Sequence, residues 1–364
     1  MRFARLAPAV STDVNSSEVH RPRQASLTPE TAWSSRRRGQ GNMSAVRQSK
    51  NDSIDRFLDV LRCPASGQRL IHEQGALVHA DGALRYRIDA AGIPLFAESF
   101  LSPEAEIQRQ HYNKVASAYT ANLGYPHTQE YLAYLDDAAR DAAGDGPLGT
   151  LAELCCGRGE ALALFGTKAR RYIGIDVSES MLQANQALHR HADAIFVQGD
   201  ATRVPLAAES VDTVVMLGGV HHVPARAKLF AEIARILRPG GRFIYREPVS
   251  DFLLWRVLRA IIYRVSPMLN HATERPLLYE ETVPALERAG LRSLHYQTHG
   301  LLGFCLFMNS DVLFFNRFFR FVPGIRTIVR AFVRMDRALL ALPGLRRAGL
   351  QVIGIAQKPA TEAG

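Results

Sequence analysis

Three short segments of the sequence place glycines or carboxylates where a strand is expected to end. Glu153–Gly159 reads ELCCGRG, and glycines at a strand-to-helix turn let the backbone approach a ligand closely. The helix that follows would offer free N–H groups to an anion. Asp176 ends the apolar run Ile173–Asp176, and a carboxylate there can accept both hydroxyls of a ribose. Asp200 ends the next run, so the spacing predicts a site for a nucleoside-containing cofactor.

A further motif, Leu217–His222 (LGGVHH), follows the predicted fourth strand. His221 and His222 in this motif, and Glu247 at the tip of the fifth strand, are candidates to accept a proton from a substrate. Hydrogen bonding within the loops is the structural alternative for all three. No third glycine follows Gly159, which separates this turn from that of nicotinamide-dependent enzymes.

The elements that must position these residues alternate between strand and helix patterns after residue 103, which predicts a parallel sheet covered by helices. The predicted strands are Thr150–Cys155, Tyr172–Ile175, Ala194–Gln198, Val211–Met216, Arg242–Tyr245, Leu291–Gln297 and Leu350–Gln357. Ser178 is predicted to cap a helix over Met181–Ala187, and a helix over Arg226–Leu237 is predicted to stop at Pro239–Gly241.

These ordered motifs together resemble those of class I S-adenosylmethionine-dependent methyltransferases, over residues 105–360. The resemblance implies an α/β, Rossmann-like sheet that is mostly parallel with an antiparallel last strand, and S-adenosyl-L-methionine as cofactor. It assigns Tyr112 and Tyr119 to a segment that closes over the cofactor, and Glu153, Gly157 and Gly159 to the methionine end. Asp176 would hold the ribose, and Met181 or Val177 would flank the adenine. Asp200 and Ala201 would contact the adenine edge, and Leu217 and Gly218 would line the sulfonium.

Cys155 stands where that family has its first turn glycine. A cysteine suits a negative φ, whereas a positive φ would disturb the geometry of the cofactor site. We expect a negative φ and keep Cys155 among the cofactor-binding residues. A Rossmann-like domain that has lost its cofactor is the structural alternative for the whole set.

Composition and charge limit the class of protein. Apolar residues make up 47% of the 364 residues and charged residues 22%, which excludes wholesale disorder. The net charge of +9 divides into +6 over residues 1–50, −4 over 51–250 and +7 over 251–364. This distribution does not describe a uniformly basic nucleic-acid surface. Four cysteines without a CxxC spacing predict a reduced, cytoplasmic protein and no metal site.

The N-terminal 100 residues divide into two parts. Residues 1–50 have the composition of a disordered tail or of a start placed too early, with an organelle transit peptide as the alternative. Residues 54–100 resemble the small zinc-ribbon-like partner protein of methyltransferases, in LRCP at Leu61–Pro64, in Tyr86–Ile88 and in GIPLF at Gly92–Phe96. Cys63 alone remains of about four zinc ligands. We therefore expect a small α+β module without metal, or a cap packed on the main domain.

The C-terminal third predicts a helical lid in two segments, 251–285 and 301–349. Within the second, a helix begins at Ile325 and carries Arg326, Arg330, Arg334 and Arg337 on one face, with apolar residues on the other. A basic amphipathic helix is typical of peripheral contact with an anionic membrane. Packing of the apolar face on the domain, with the arginines solvated, is the alternative.

The leading functional hypothesis is in-line SN2 methyl transfer to a hydrophobic or amphiphilic small molecule that is lipid-, quinone- or polyketide-like. An RNA methyltransferase acting on tRNA or rRNA is the first alternative, suggested by the partner-like module and the basic ends. A non-catalytic, cofactor-binding interaction subunit is the second. Gly218–His221 replaces the Asn/Asp-Pro-Pro-Tyr/Phe loop that marks enzymes acting on adenine amines or glutamine side chains, which disfavours those acceptors.

Overall fold

The structure is a computed structural model that describes residues 54–98, 101–110, 124–189, 193–258, 275–308 and 316–360. The predicted tail at 1–50, the cofactor candidates Tyr112 and Tyr119, and residues 259–274 of the first lid segment lie outside the described residues.

A small antiparallel sheet lies near the start of the described chain, in the order β1 (Leu70–Glu73), β2 (Ala76–His79), β3 (Arg85–Arg87). Its buried side chains belong to the same apolar cluster as the main sheet. The Cys63 thiol lies 3.0 Å from the Tyr86 hydroxyl. Among the described residues, no group of three or more His, Cys, Asp or Glu side chains is placed to hold a metal ion. The likeness of this part to the zinc-ribbon-like partner stays a prediction.

The main sheet contains seven strands within the described ranges. They are β4 (Gly149–Leu154), β5 (Ala169–Asp176), β6 (Ala194–Gln198), β7 (Val211–Leu217), β8 (Leu237–Pro248), β9 (Arg292–His299) and β10 (Gln351–Gln357). They lie in the order β6-β5-β4-β7-β8-β10-β9. β10 alone runs in the opposite direction to the other six strands. The predicted Rossmann-like sheet with an antiparallel last strand is confirmed.

Helices cover both faces of this sheet. Those with bounds inside the described residues are α1 (Pro126–Ala143), α2 (Glu160–Phe165), α3 (Glu179–Leu188), α4 (Arg226–Ile236), α5 (Tyr279–Arg288), α6 (Leu302–Phe307) and α7 (Ile325–Leu340). Residues 103–110 and 253–258 are also helical. Because successive strand residues point to opposite faces, Leu151 packs with α1, α2 and α3, and Ala152 packs with α4 and α5. Burial on both faces explains the nearly continuous apolar runs of the strands.

The fifth strand of the main sheet begins earlier than predicted. The predicted strand was Arg242–Tyr245, but β8 starts at Leu237, which pairs with Val211 before a shift in register. The predicted helix over Arg226–Leu237 is present but ends at Ile236, and Pro239–Gly241, predicted to stop it, lie inside β8. The start of β8 is set by backbone hydrogen bonds to β7, and the pattern of apolar side chains gives no information on these bonds.

An insertion between β9 and β10 carries α6 and α7 and packs on α1. The apolar stripe of α7, with Ile325, Val329 and Val333, is buried against Tyr131 and Leu135 of α1. The predicted amphipathic helix is therefore present. Protein covers Ile325, Val329 and Val333 on its apolar face, whereas Ile328 is exposed. Within the described chain, no helix combines the length and apolar character needed to cross a membrane.

A single acid in α7 holds the insertion together. Asp336 is fully buried and accepts the Tyr131 hydroxyl at 2.8 Å. It also accepts the backbone N–H groups of Leu301, Leu302 and Gly303, at 3.0 to 3.2 Å, at the start of α6. A carboxylate at a helix N-terminus satisfies donors that have no partner within the helix. The Asp336 side chain therefore joins α1, α6 and α7.

Replacing this acid should loosen the insertion. We expect D336A to lower the free energy of unfolding by roughly 3–5 kcal/mol, because it leaves several buried donors without an acceptor. The neighbouring M335A changes a partly exposed side chain of the same helix and should cost less than about 1 kcal/mol. Denaturant unfolding of both variants measures the difference, and equal losses would contradict this account of Asp336.

Candidate cofactor site

One cavity opens at the carboxyl ends of β4, β5, β6 and β7, where the strand order reverses on either side of β4. Ligands of open α/β sheets bind at such a reversal. Ten of the predicted cofactor residues line it: Glu153, Cys155, Gly157, Asp176, Val177, Met181, Asp200, Ala201, Leu217 and Gly218. Gly159 does not line the cavity, and Tyr112 and Tyr119 fall outside the described residues.

The turn after β4 is more strained than expected. The φ of Cys155 is +53°, so the predicted negative φ is wrong. The cause lies in the sheet: the Cys156 N–H still donates to the Ile175 carbonyl at 3.0 Å, so the chain must turn at Cys155 without leaving β5. A left-handed conformation costs a residue with a Cβ about 1–2 kcal/mol. A Cβ on Gly219 would come within 2.7 Å of the Cys155 Cβ, so glycine is required across from the cysteine.

Gly159 shapes the turn before α2 but does not line the cavity. It precedes α2 in the left-handed conformation, with φ +72°, and a Cβ there would lie 3.3 Å from the Asn185 side-chain oxygen. The Asn185 amide donates to the Gly157 carbonyl at 2.5 Å. The sequence analysis missed Asn185, whose signal is a polar residue at a buried position of α3.

Asp176, predicted to hold the ribose, lies at the end of β5. Its carboxylate accepts the Gly157 N–H at 2.8 Å and the Ser178 N–H at 2.9 Å. An ionised carboxylate has about four lone-pair positions, so about two remain for a diol. Burial raises the pKa of Asp176, and the backbone N–H donors oppose that rise. The side chain lines the cavity, and the residues present fit the nucleoside part of the cofactor here.

Asp200 differs, because protein groups use its lone pairs. Ser102 donates its N–H and hydroxyl to one oxygen at 2.9 and 2.7 Å. Thr202 donates its N–H and hydroxyl to the other, both at 2.7 Å. An adenine amine could bind this carboxylate only by replacing one of these donors. Glu104, Ala105 and Gln108, in the helical segment that follows Ser102, also line the cavity, so this segment borders the predicted adenine end.

Glu153 is buried beneath the turn. It accepts the Ala161 N–H of α2 at 3.0 Å and forms a short hydrogen bond with the Tyr172 hydroxyl. Burial raises the pKa of Glu153 to about 8, and these two hydrogen bonds oppose the rise. The carboxyl group therefore fixes the start of α2 beside β4 and borders the predicted methionine end.

The three predicted catalytic residues occupy different positions. His222 lines the cavity, whereas neither His221 nor Glu247 borders it. Glu247 is fully buried and accepts the N–H groups of Gly219 and Val220 at 2.7 and 2.8 Å and the His221 Nδ1 at 2.8 Å. The His221 and His222 rings lie 3.9 Å apart, centroid to centroid. Glu247 thus orients His221 and supports the loop that presents His222.

Comparisons with known proteins concern the part of the chain that carries this cavity. Residues 152–245 match the family model described as a methyltransferase domain. Domains of this kind take their methyl group from S-adenosyl-L-methionine, the cofactor that the sequence motifs imply.

Two relatives are each similar to a part of this chain. The phthiotriol/phenolphthiotriol dimycocerosates methyltransferase of Mycobacterium tuberculosis is 32% identical over 108 residues, which cover 28% of this chain and 40% of that protein. The demethylmenaquinone methyltransferase of Lactiplantibacillus plantarum is 27% identical over 168 residues, covering 40% of this chain and 71% of that protein. The chain thus spans about two fifths of the length of the mycobacterial relative.

A solved structure, that of the [4+2]-cyclase SpnF, is 18% identical to this chain with a TM-score of 0.49. The superposition covers 72% of this chain and 98% of that one.

The Glu153 carboxyl group predicts a specific pH dependence of stability. Its folded pKa of about 8 lies above its ordinary value of 4.5, so the folded protein holds a proton that the unfolded chain has released between these values. Stability is then lost as the pH rises, at up to about 1.4 kcal/mol per unit. In E153Q the amide reproduces the hydrogen bonds of a protonated carboxyl group without titrating. Denaturant unfolding from pH 5 to 8 should show wild type losing stability relative to E153Q, and a constant difference would contradict the assignment.

Proposed function

We propose that this chain transfers a methyl group from S-adenosyl-L-methionine to a hydrophobic or amphiphilic small molecule. The observation that carries the proposal is Asp176, a half-buried carboxylate in the cavity with lone pairs left for a ribose beside the glycine turn. The methyltransferase domain match over residues 152–245 supports the same cofactor.

Each part of the cofactor has candidate partners in the cavity. In the proposal, Asp176 holds the ribose hydroxyls, Met181 and Val177 flank the adenine, and Ala201 lies at its edge. Glu153, Cys155 and Gly157 shape the methionine end, with Leu217 and Gly218 beside the sulfonium, and Gly159 acts indirectly by setting the turn. Asp200 would read the adenine amine after exchanging a donor from Ser102.

The catalytic demand on side chains is modest. The cofactor supplies a methyl group that is already activated on a sulfonium. The protein must therefore hold the acceptor in line and exclude water, which provides most of the rate enhancement. Where the acceptor has to lose a proton, His222 is the candidate base because it lines the cavity. His221 and Glu247 then serve as positioning residues, because they hold the loop residues Val220 and His221 that precede His222.

The proposed acceptor class rests on the walls of the cavity and on the relatives. Leu217, Val223, Pro224 and Ala225 line the same cavity as His222, and their side chains are apolar. This part of the wall is apolar, although polar residues line the rest of the cavity, and an apolar wall favours a hydrophobic acceptor. The names of the two relatives, a dimycocerosates and a demethylmenaquinone methyltransferase, support the same class.

Methyl transfer can be tested with labelled cofactor and fractionated cell extract. We expect label in the organic phase, and a rate about 100-fold lower for H222Q because the base is removed. The affinity of H222Q for S-adenosylhomocysteine should stay within threefold of wild type, and H189Q, which changes a histidine at the end of α3, should keep the wild-type rate. Label confined to tRNA, or none in either fraction, would contradict the proposal. An unchanged rate in H222Q would remove the assigned role of His222.

We also propose peripheral contact with an anionic membrane, which would bring the enzyme to such an acceptor. The structure divides the four predicted arginines into two pairs. Arg326 and Arg330 both lie against Glu130, at 3.2 and 2.5 Å, whereas Arg334 and Arg337 make no ion pair within the described residues. The same insertion exposes the aromatic rings of Phe318 and Phe321. Exposed cations with aromatic side chains suit an anionic interface.

Flotation with anionic liposomes tests this contact. Wild type should float with the vesicles, and R334E/R337E should be released because it reverses the two unpaired charges. The control R69E/R292E makes the same change in net charge at exposed positions outside the insertion. Flotation of R334E/R337E at the wild-type level, or release of both double variants, would contradict contact through α7.

A further inference from the structure

A second cavity, of about 400 Å³, lies between α4 and α5. Half of its lining residues are alanines, namely Ala225, Ala227, Ala231, Ala285 and Ala289. Pro224 and Ala225 line both this cavity and the cofactor cavity, so the two lie on opposite sides of one short segment. That segment directly follows the loop that carries His221 and His222.

The charges on this second cavity do not balance. Its charged lining residues are Arg226, Arg275, Arg288 and Glu281. Glu281 contacts Arg275 at 2.5 Å and Arg226 at 3.8 Å, so one carboxylate serves two guanidinium groups. The third, Arg288, adds a further positive charge to the wall.

Arg226 is only partly compensated, by Glu281 at 3.8 Å and by the backbone carbonyl of Arg275, to which its Nη2 donates. Its side chain is 11% exposed, and its Nη1 atom is buried without a hydrogen-bond partner among the described residues. Burial and the nearby positive charge of Arg275 lower the pKa of Arg226. A buried guanidinium normally has its donors paired, because an unpaired one keeps its full cost of desolvation.

The start of α4 points to the same kind of ligand. Ala225 provides no side-chain cap, and the first turn has no acidic residue. Arg226 and Lys228 lie there instead, although the positive end of a helix favours negative charge. The first turn, including Ala225, Arg226 and Ala227, lines the cavity. An anion in the cavity would satisfy both the helix end and the guanidinium groups.

We propose that this cavity binds a small oxyanion, a carboxylate or phosphate group, through Arg226, Arg275 and Arg288. The alanines leave the space, and planar guanidinium groups match the geometry of these anions. The backbone N–H of Arg275 donates to the backbone carbonyl of His221 at 3.0 Å. An anion bound to the Arg275 side chain would therefore also stabilise the loop that carries His221 and His222. The oxyanion could be the head group of the acceptor or a free anion. Only the first of these sources rests on the proposed methyl transfer.

Calorimetric titration of inorganic phosphate, at low ionic strength and without cofactor, tests the site. Wild type should bind one phosphate saturably, and R226M should bind at least about tenfold more weakly, since a hydrogen bond to a charged group is lost. K228M is the matched control, because it removes an exposed charge from the same turn that does not line the cavity. It should stay within about twofold of wild type. No saturable binding, or equal weakening in both variants, would overturn the proposal.

A second variant and a second ligand complete the test. R288M changes an exposed arginine, so it should fold even if R226M does not, and it should also weaken phosphate binding. Octyl phosphate should lose affinity in R288M as well, and unchanged binding there would overturn the site. If wild type binds octyl phosphate more tightly than inorganic phosphate, the site is assigned to the head group of an acceptor. If it binds the two equally, the site is assigned to a free anion. S-adenosylhomocysteine should bind R288M as it binds wild type, which separates this site from the methyl-transfer proposal.

Discussion

One hydrogen bond, from the Gly157 N–H to the Asp176 carboxylate, joins the two strand ends on which the cavity is built. It can form because β4 and β5 are parallel neighbours that end at the same edge of the sheet. It also requires the turn after β4 to bend with positive φ at Cys155 and Gly157. The start of α2, the lining of the cavity and the free lone pairs of Asp176 all depend on this bend.

The same edge explains why the neighbouring groups are buried and paired. Glu153 anchors α2 to β4 from below, and Glu247 anchors the His221 loop to the end of β8. Neither carboxylate is freely solvated, so each fixes backbone more than it offers chemistry to a substrate. Asp176 and His222 both line the cavity, whereas Glu247 does not.

Local patterns predicted much of this arrangement. The apolar runs gave the strands, and Ser178 caps α3 as its sequence position suggests. Uninterrupted apolar runs precede Asp176 and Asp200, so both could be placed at or just after the end of a strand. The conformation of Cys155 was not predictable in this way, since a non-glycine residue at a turn carries no local signal of positive φ. It follows from the pairing of Cys156 with Ile175, which is a tertiary constraint.

Contacts between distant parts of the chain account for the other differences. Ser102 reaches Asp200 from 98 residues away, and Arg330 reaches Glu130 from 200 residues away. Periodicity indicated that α7 is amphipathic, but not that α1 covers its apolar side. The buried Nη1 atom of Arg226, which has no hydrogen-bond partner among the described residues, is equally invisible in the sequence, because its environment depends on how α4 and α5 meet.

Calorimetry with S-adenosylhomocysteine tests the central claim most directly. If Asp176 holds the ribose, D176N should bind roughly 30-fold or more weakly than wild type, because hydrogen bonds to a charged acceptor are lost. D193N, which neutralises a half-exposed acid beside the start of β6, should bind as wild type does. Failure of wild type to bind, or an unchanged affinity in a folded D176N, would contradict the account.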